Sequence, residues 1–315
     1  MLSHFPSKSQ ILVSPDSAED VDKTILPASF RPDHQGTGDS RKFLEISSRA
    51  AMNAKTTSLA SLACSVLERI LLSFSYEQEE AATRGATANY NLENCLSFAQ
   101  QAIPDFLGHI RGKNVLDYGC GLGWQSVRMA LSGAKSVTGF DLDEKRLNYA
   151  RQLASASGAS HNTNFISELP KEQFEVTVSL CSFEHFANPE QELRKMSDLT
   201  ECNGYILIAF AEPWFSHSGS HMNDYIRIPW INLLFPERVV MQARRKYRQD
   251  GAQRYEAVVG GLNKMSVSRF ERIIQRSGLK VVHKRLYPTL GIPLVIHVPV
   301  IRELLTSACA CVLNK

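Results

Sequence analysis

The sequence predicts an α/β fold built on a mainly parallel sheet of seven strands, and three observations carry that prediction. The 315 residues are 43% hydrophobic and 21% charged, a composition that fills a packed core. From Gly112 onward, short apolar runs alternate with helix-length segments, the rhythm of strand–helix–strand crossovers. A glycine-rich turn from Asp117 to Gly123 separates the first such run from the helix after it.

Taken in order, residues 1–45 mix Ser, Asp, Pro and Gly without a sustained apolar period and read as a mobile extension. Residues 46–110 read as helical. Leu59, Leu62, Ala63, Val66, Leu67, Ile70 and Leu71 recur at helical spacing, which predicts an amphipathic helix that needs a partner surface. A polar loop with a short helix follows, and then one helix from Leu92 to Phe106, ended by Pro104 and Gly108. Strands are expected at 114–118, 135–140, 163–166, 175–180, 204–210, 279–286 and 307–313. Helices near 123–132, 144–157 and 189–200 separate the first five, long enough for parallel crossovers. A helix at 266–277, closed by Gly278, precedes the last two strands, between which no strong helical pattern lies, so the final strand is expected to be antiparallel.

Composition also narrows the function classes. Lys and Arg number 35 against 32 Asp and Glu, a net charge of +3, so no general polyanion-binding surface follows and nucleic acid is not the expected partner. No apolar run approaches the length of a membrane span, and the first residues lack a secretory pattern; a cytoplasmic protein is expected. The seven cysteines are odd in number and form no CxxC pair, which suits reduced thiols. Cys309 and Cys311 alternate in a strand and read as core.

The chemistry-bearing motif is the strand, turn and helix of residues 114–130, with Asp117, Gly119, Gly121 and Gly123 at the turn. Glycines there let the backbone turn tightly and leave room for a ligand. A dinucleotide fingerprint wants its third glycine at position 124, where this chain has Trp124. The next strand ends at Asp141, 22 residues after Gly119, where a carboxylate can accept from both hydroxyls of a ribose. Together the two elements predict a nucleoside-bearing ligand.

On these residues, VLDYGCGLG at 115–123, VTGFDLDEKRLNYAR at 137–151, FISELP at 165–170, FEVTVSLCSFEHFANPEQEL at 174–193 and NGYILIAF at 203–210, the chain resembles the class I S-adenosylmethionine-dependent methyltransferases. It is most similar to their small-molecule group, the ubiquinone-biosynthesis methyltransferases. The resemblance implies a Rossmann-like sheet with an antiparallel last strand and S-adenosylmethionine as methyl donor, with S-adenosylhomocysteine as product. It implies that Asp117, Gly119, Gly121 and Gly123 face the methionine portion and that Asp141, with Leu142 beside it, holds the ribose. Ser167, Glu168 and Leu169 would flank the adenine, and Cys181 and His185 would shape the cofactor pocket. Ile166 and Ser167 stand where the family often has an Asp. Helices before the first strand often cover the cofactor in this family, which makes Tyr90 a candidate neighbour and the N-terminal helices a lid or a homodimer interface.

In an open α/β sheet the ligand crevice lies at the carboxyl ends of the strands, so the loops after the fourth and fifth strands face the acceptor. Residues 211–264 of the 111–315 domain are too long for a bare connection and are read as a substrate cap. Trp214, Phe215, Tyr225 and Trp230 there are the expected lining for a small organic acceptor. A hydroxyl acceptor loses its proton as it is methylated, and His221 or His217 is the candidate base, with Asp224 or Glu184 as orienter. Against this stands the reading of each His as a packing or turn residue. As metal ligands, His217, His221 and Asp224 are separated by Gly219, which argues against a helix that would stack them; no metal is assigned.

Residues 237–285 carry 13 Lys and Arg against four acids, either an attraction for an anionic acceptor or RNA, or a solvated face. The expected function is O-methylation of a small metabolite, with RNA or protein methylation and a non-catalytic cofactor-binding module as alternatives.

Overall fold

The computed structural model describes residues 61–84, 91–289 and 298–315. All of them belong to one contact unit, Lys55–Lys315. The predicted extension 1–45, the segment 46–60 and Tyr90 lie outside the described residues.

The elements run α1 (61–73), α2 (Gln78–Arg84), α3 (Ser97–Ala102), α4 (Phe106–Ile110), β1 (Asn114–Tyr118), α5 (Trp124–Leu131), β2 (Ser136–Phe140), α6 (Glu144–Ala156), β3 (Thr163–Ile166), β4 (Phe174–Leu180), α7 (Pro189–Asp198) and β5 (Thr200–Ala211). They continue with α8 (Ile231–Leu234), α9 (Glu237–Arg244), α10 (Val267–Ser277), β6 (Lys280–Pro288), α11 (Pro299–Leu305) and β7 (Thr306–Asn314). The seven strands form one sheet in the order β3-β2-β1-β4-β5-β7-β6. β1 to β5 pair in parallel, while β7 runs antiparallel to both β5 and β6, as expected from the sequence.

Local chemistry sets the helix boundaries. Asp143 accepts from the amides of Lys145 and Arg146 at the start of α6, and Asn188 caps α7 ahead of Pro189. Ser266 caps α10, and Gly278, at φ 71°, ends it in the left-handed conformation. The single helix expected over 92–106 is instead two, α3 and α4. Pro104 drives Ile103 out of helical geometry (φ −119°, ψ 117°), and Asp105 turns the chain through φ 49° before α4 begins. Strand β5 also starts earlier than expected, at Thr200, and a register irregularity between Phe174 and Val176 absorbs the extra residues.

Alternation along the strands feeds two cores. Val115, Val137, Val176 and Leu207 pack with α3 to α6 on one face. Leu116, Ile206, Phe210, Cys309 and Cys311 pack with α7 and α10 on the other, where Phe270 is fully buried and contributes about 2–3 kcal/mol. A third cluster joins Leu71 of α1 to Met222, Ile226, Ile231, Val239 and Tyr255. The predicted apolar face of α1 is wider than this contact: Leu62, Val66 and Ile70 remain 63%, 48% and 43% exposed.

Candidate functional site

The parallel run β1 to β5 brings the carboxyl ends of these strands to one edge of the sheet, with the glycine turn after β1 and Asp141 after β2 side by side. Gly119, Gly121 and Gly123 have φ of 84°, 53° and 77°, all left-handed. Their reasons differ. A Cβ on Gly123 would stand 2.5 Å from Ala150 Cβ, so Gly123 lets α5 approach α6; a Cβ on Gly121 would meet nothing within 4 Å, so the space above Gly121 is left open.

Four amides of the turn are spent inside the protein. Gly119 and Cys120 both donate to the Phe140 carbonyl, and Gly123 donates to Cys120. Gly121 N donates to Asp141 Oδ2 at 2.9 Å, and Asp143 N donates to Asp141 Oδ1 at 2.9 Å. With these four donors engaged, the turn offers little to a pyrophosphate. It offers carboxylates instead, and each Asp141 oxygen keeps a lone pair for an incoming hydroxyl. Asp117 is buried beneath the turn and accepts from Ser126 Oγ at 2.5 Å. Burial raises its pKa to about 6.

A second cluster forms after β4 and β5. Cys181, immediately past β4, is left-handed at φ 52° and exposed. The turn Phe183–His185 that follows is clamped by Asn263, whose amide group donates to the carbonyls of Phe183 (2.9 Å) and Phe186 (2.8 Å) while its N–H donates to Glu184 O (3.0 Å). Glu184 is 5% exposed and its Oε2 is buried without a hydrogen-bond partner. Burial pushes its carboxyl up to about 8. Glu212, the first residue past β5, has φ 59° and accepts from Asn223 Nδ2 and the Ser218 hydroxyl; burial raises it as well.

His221, at φ 55°, reaches back so that its Nε2 stands 3.6 Å from Glu212 Oε2, and its ring meets His185 edge-on at 5.6 Å. The ring edge is partly exposed, but Nε2 is buried, and that burial lowers its pKa to about 4. His185 is held by a 2.5 Å contact from Nδ1 to the Gly261 carbonyl, and burial keeps it below the ordinary histidine value. Glu184, Glu212, His221 and Trp214 line one small cavity together with Gly219, Leu262, Lys264 and Met265. Left-handed non-glycine backbone at Glu212, His221 and Lys264, each costing about 1–3 kcal/mol, concentrates around this cavity.

The other residues singled out by sequence are distributed more widely. Trp214 lines the cavity and packs edge-on against Tyr255 at 4.8 Å. Tyr225 is engaged elsewhere, stacked on Tyr247 at 4.9 Å with its hydroxyl accepting from Arg248. Trp230 donates its indole N–H to the Phe215 carbonyl and packs near the His217 ring, leaving Phe215 36% exposed. His217 thus belongs to the Trp230 side, while Asp224 draws the His221 pKa upward by its charge. Leu142 is 82% exposed beside Asp141, and Ser167, Glu168 and Leu169 are exposed where β3 ends. Among the described residues no group of three or more His, Cys, Asp or Glu is disposed to hold a metal ion.

Sequence reasoning missed Glu212 as the carboxylate nearest His221 and Asn263 as the clamp of the 183–186 turn. Glu212 had a signal, since it directly follows a strand on the ligand edge; Asn263 had none, because only the folded chain brings it to residue 183. Four of the thirteen basic residues of the 237–285 stretch are ion-paired within the fold. Arg244 pairs with Asp250, Lys264 with Glu237 and Glu256, Arg276 with Glu190, and Lys284 with Glu271.

Comparison with known proteins identifies the family. A family model described as a methyltransferase domain matches residues 91–284. The ubiquinone biosynthesis O-methyltransferase of Bordetella pertussis is 35% identical over 112 residues, covering 34% of this chain and 46% of that protein. Its counterpart in Photobacterium profundum is 30% identical over 112 residues, covering 34% and 47%. The chain spans about half the length of the curated relatives it matches. Among solved structures, an S-adenosylmethionine dependent methyltransferase from Mesorhizobium loti superposes with a TM-score of 0.46 at 15% identity, over 71% of this chain and 100% of that one. With the match running through the glycine turn, Asp141 and the fourth and fifth strands, the chain belongs to the class I methyltransferases, whose methyl donor is S-adenosylmethionine.

Proposed function

We propose that this protein transfers a methyl group from S-adenosylmethionine to a hydroxyl oxygen of a small organic acceptor, with His221 as general base. The observation that carries the reading is the buried, unpartnered Nε2 of His221 on the cavity between the ends of β4 and β5. O-methylation is also what the names of the relatives from Bordetella and Photobacterium describe.

The donor fits the first cluster. Asp141 would hold the ribose hydroxyls, the open space above Gly121 would admit the ligand, and Asp117 supplies the acidic side that an amino-acid ammonium favours over a phosphate. When bound, S-adenosylmethionine supplies an electrophilic methyl group on a sulfonium. This chain's residues then orient the acceptor and take its proton. As the oxygen gains a methyl carbon, its remaining O–H becomes strongly acidic, and the proton passes to His221 Nε2, leaving a neutral methyl ether. A base whose pKa lies near 4 suffices for so acidic a proton, and its low value keeps the imidazole free to accept at neutral pH. Glu212 at 3.6 Å would stabilise the imidazolium so formed. Residues 211–264 would act as the cap, holding Trp214 over the acceptor.

The test is incubation of the protein with methyl-labelled S-adenosylmethionine and a cell extract divided into small-molecule, RNA and protein fractions, with Asp141→Ala as control. Label in the small-molecule fraction, strongly reduced in the control, is expected. Label confined to RNA or protein would overturn the acceptor class, and undiminished turnover in His221→Ala would remove the base.

A further inference from the structure

We propose that Glu184 is the specificity-determining anchor of the acceptor, hydrogen-bonding a second polar atom of a molecule that carries no negative charge. This rests on the small-molecule reading above and adds the acceptor's charge class and the residue that selects it.

Three observations converge. Glu184 is 5% exposed and lines the cavity, yet its Oε2 has no hydrogen-bond partner. A buried carboxyl oxygen left unpaired costs about 1–3 kcal/mol or more, so a native fold that keeps one rigidly in place calls for an explanation. Rigidity is evident, because Asn263 fixes the turn through three hydrogen bonds, to Phe183, Glu184 and Phe186. The second orphan on the same cavity is His221 Nε2. Two unsatisfied buried atoms, one on the loop after β4 and one on the loop after β5, meet at a cavity that as it stands holds about one water molecule; an acceptor entering there would turn its reacting hydroxyl toward His221 and another polar group toward Glu184.

The charge class follows from what else faces the cavity. Glu212 adds a second carboxyl, and Lys264, the cation among the lining residues, is bound to Glu237 at 3.4 Å and Glu256 at 2.7 Å. An acceptor carboxylate or phosphate would be desolvated beside two carboxyl groups with no cation released to meet it. An uncharged acceptor pays no such penalty, and a carbonyl, hydroxyl or ether oxygen can accept from Glu184 in its protonated form.

The test extends the labelling experiment. Labelled small-molecule product is separated by anion exchange at neutral pH, and the wild type is compared with Glu184→Leu and Glu184→Gln, with S-adenosylmethionine binding measured by calorimetry as the check on folding. The expected product does not bind the exchanger. Glu184→Leu is expected to raise the acceptor KM about tenfold or more, the loss of one buried hydrogen bond, while cofactor affinity is unchanged; Glu184→Gln, which keeps a donor and an acceptor, recovers most of it. An anionic product, or a Glu184→Leu enzyme that binds cofactor and methylates with wild-type KM, would overturn the anchor while leaving small-molecule methylation standing. Absence of any labelled small molecule would overturn both.

Discussion

His221 Nε2 and Glu212 Oε2 face each other at 3.6 Å, too far for a hydrogen bond and close enough for charge to be felt. The spacing leaves Nε2 without a partner on a cavity wall while keeping a carboxyl ready for the cation that protonation would create. His221→Ala is therefore expected to lower kcat by about 10²–10⁴-fold with cofactor affinity intact. Glu212→Gln should lower kcat less. With burial holding His221 near 4, kcat in the wild type stays level from neutral pH down to about pH 5 and falls as pH drops through the His221 value. A decline centred near pH 6.5 would show a histidine in water, and the buried-base assignment would fail.

Two glycines of the same turn separate packing from binding. Gly123→Ala places a methyl group 2.5 Å from Ala150 Cβ at φ 77°, so left-handed strain and overpacking together are expected to cost about 2–4 kcal/mol. Gly121→Ala has the strain but no protein atom within 4 Å, so a loss of about 1–2 kcal/mol is expected, with cofactor binding abolished by the methyl group in the open space. Thermal unfolding and calorimetric titration on both variants check this. Normal cofactor affinity in Gly121→Ala would move the ligand off the turn.

The contrast between these glycines also marks how far the sequence could be read. Residues 114–141 were legible because strand, glycine turn, helix, second strand and acid follow one another without interruption in the sequence. The antiparallel β7 was legible from the weak helical pattern between 286 and 307. What was not legible depended on long-range closure. Asn263 reaches residue 183 only after α9 and its loops fold over the sheet edge. Tyr225 carries the composition of a pocket aromatic, yet Tyr247 claims its ring and Arg248 its hydroxyl. Aromatic content therefore drew attention to residues 211–264 without telling which rings line the cavity.

Asp141 joins the glycine turn to the start of α6 by accepting from Gly121 N and Asp143 N at 2.9 Å each. Asp141→Ala removes both the proposed ribose acceptor and this tie. Cofactor affinity should weaken about 100-fold, the value of one to two charge-assisted hydrogen bonds, accompanied by modest destabilisation. Asp141→Asn keeps one oxygen and should fall between the two. Calorimetric binding of S-adenosylhomocysteine measures the series, and affinity in Asp141→Ala equal to wild type would exclude the ribose role.

Glu184 makes stability fall with rising pH over a window in which few other groups titrate. Its folded pKa, about 8, is above the ordinary carboxylate value, so the folded state binds more protons than the unfolded chain between those limits. The stability it contributes is complete below the ordinary value and is lost as pH rises to about 8. Asp117, raised to about 6, completes the same change earlier, and His221, lowered to about 4, acts in the opposite sense below about 6.5. From pH 6.5 to 8 Glu184 therefore dominates, with Glu212 shifted in the same direction, and the wild type should lose about 2 kcal/mol across that interval. The charged and titratable groups facing Glu184 are Glu212 past β5, His221 and Lys264 on the cavity, Cys181 on its own loop and Cys309 on β7. Of these, neither thiol nor Lys264 changes charge in the window, since desolvation of its Sγ and the nearby Glu184 and Glu212 raise the Cys181 thiol, burial raises Cys309, and ion pairing raises the Lys264 pKa. Glu184→Gln should flatten the slope, measured by denaturant unfolding at half-unit pH steps. A Glu184→Gln profile parallel to wild type would mean that Glu184 is ionised in the folded protein, and the hydrogen bond it is expected to donate would be lost with it.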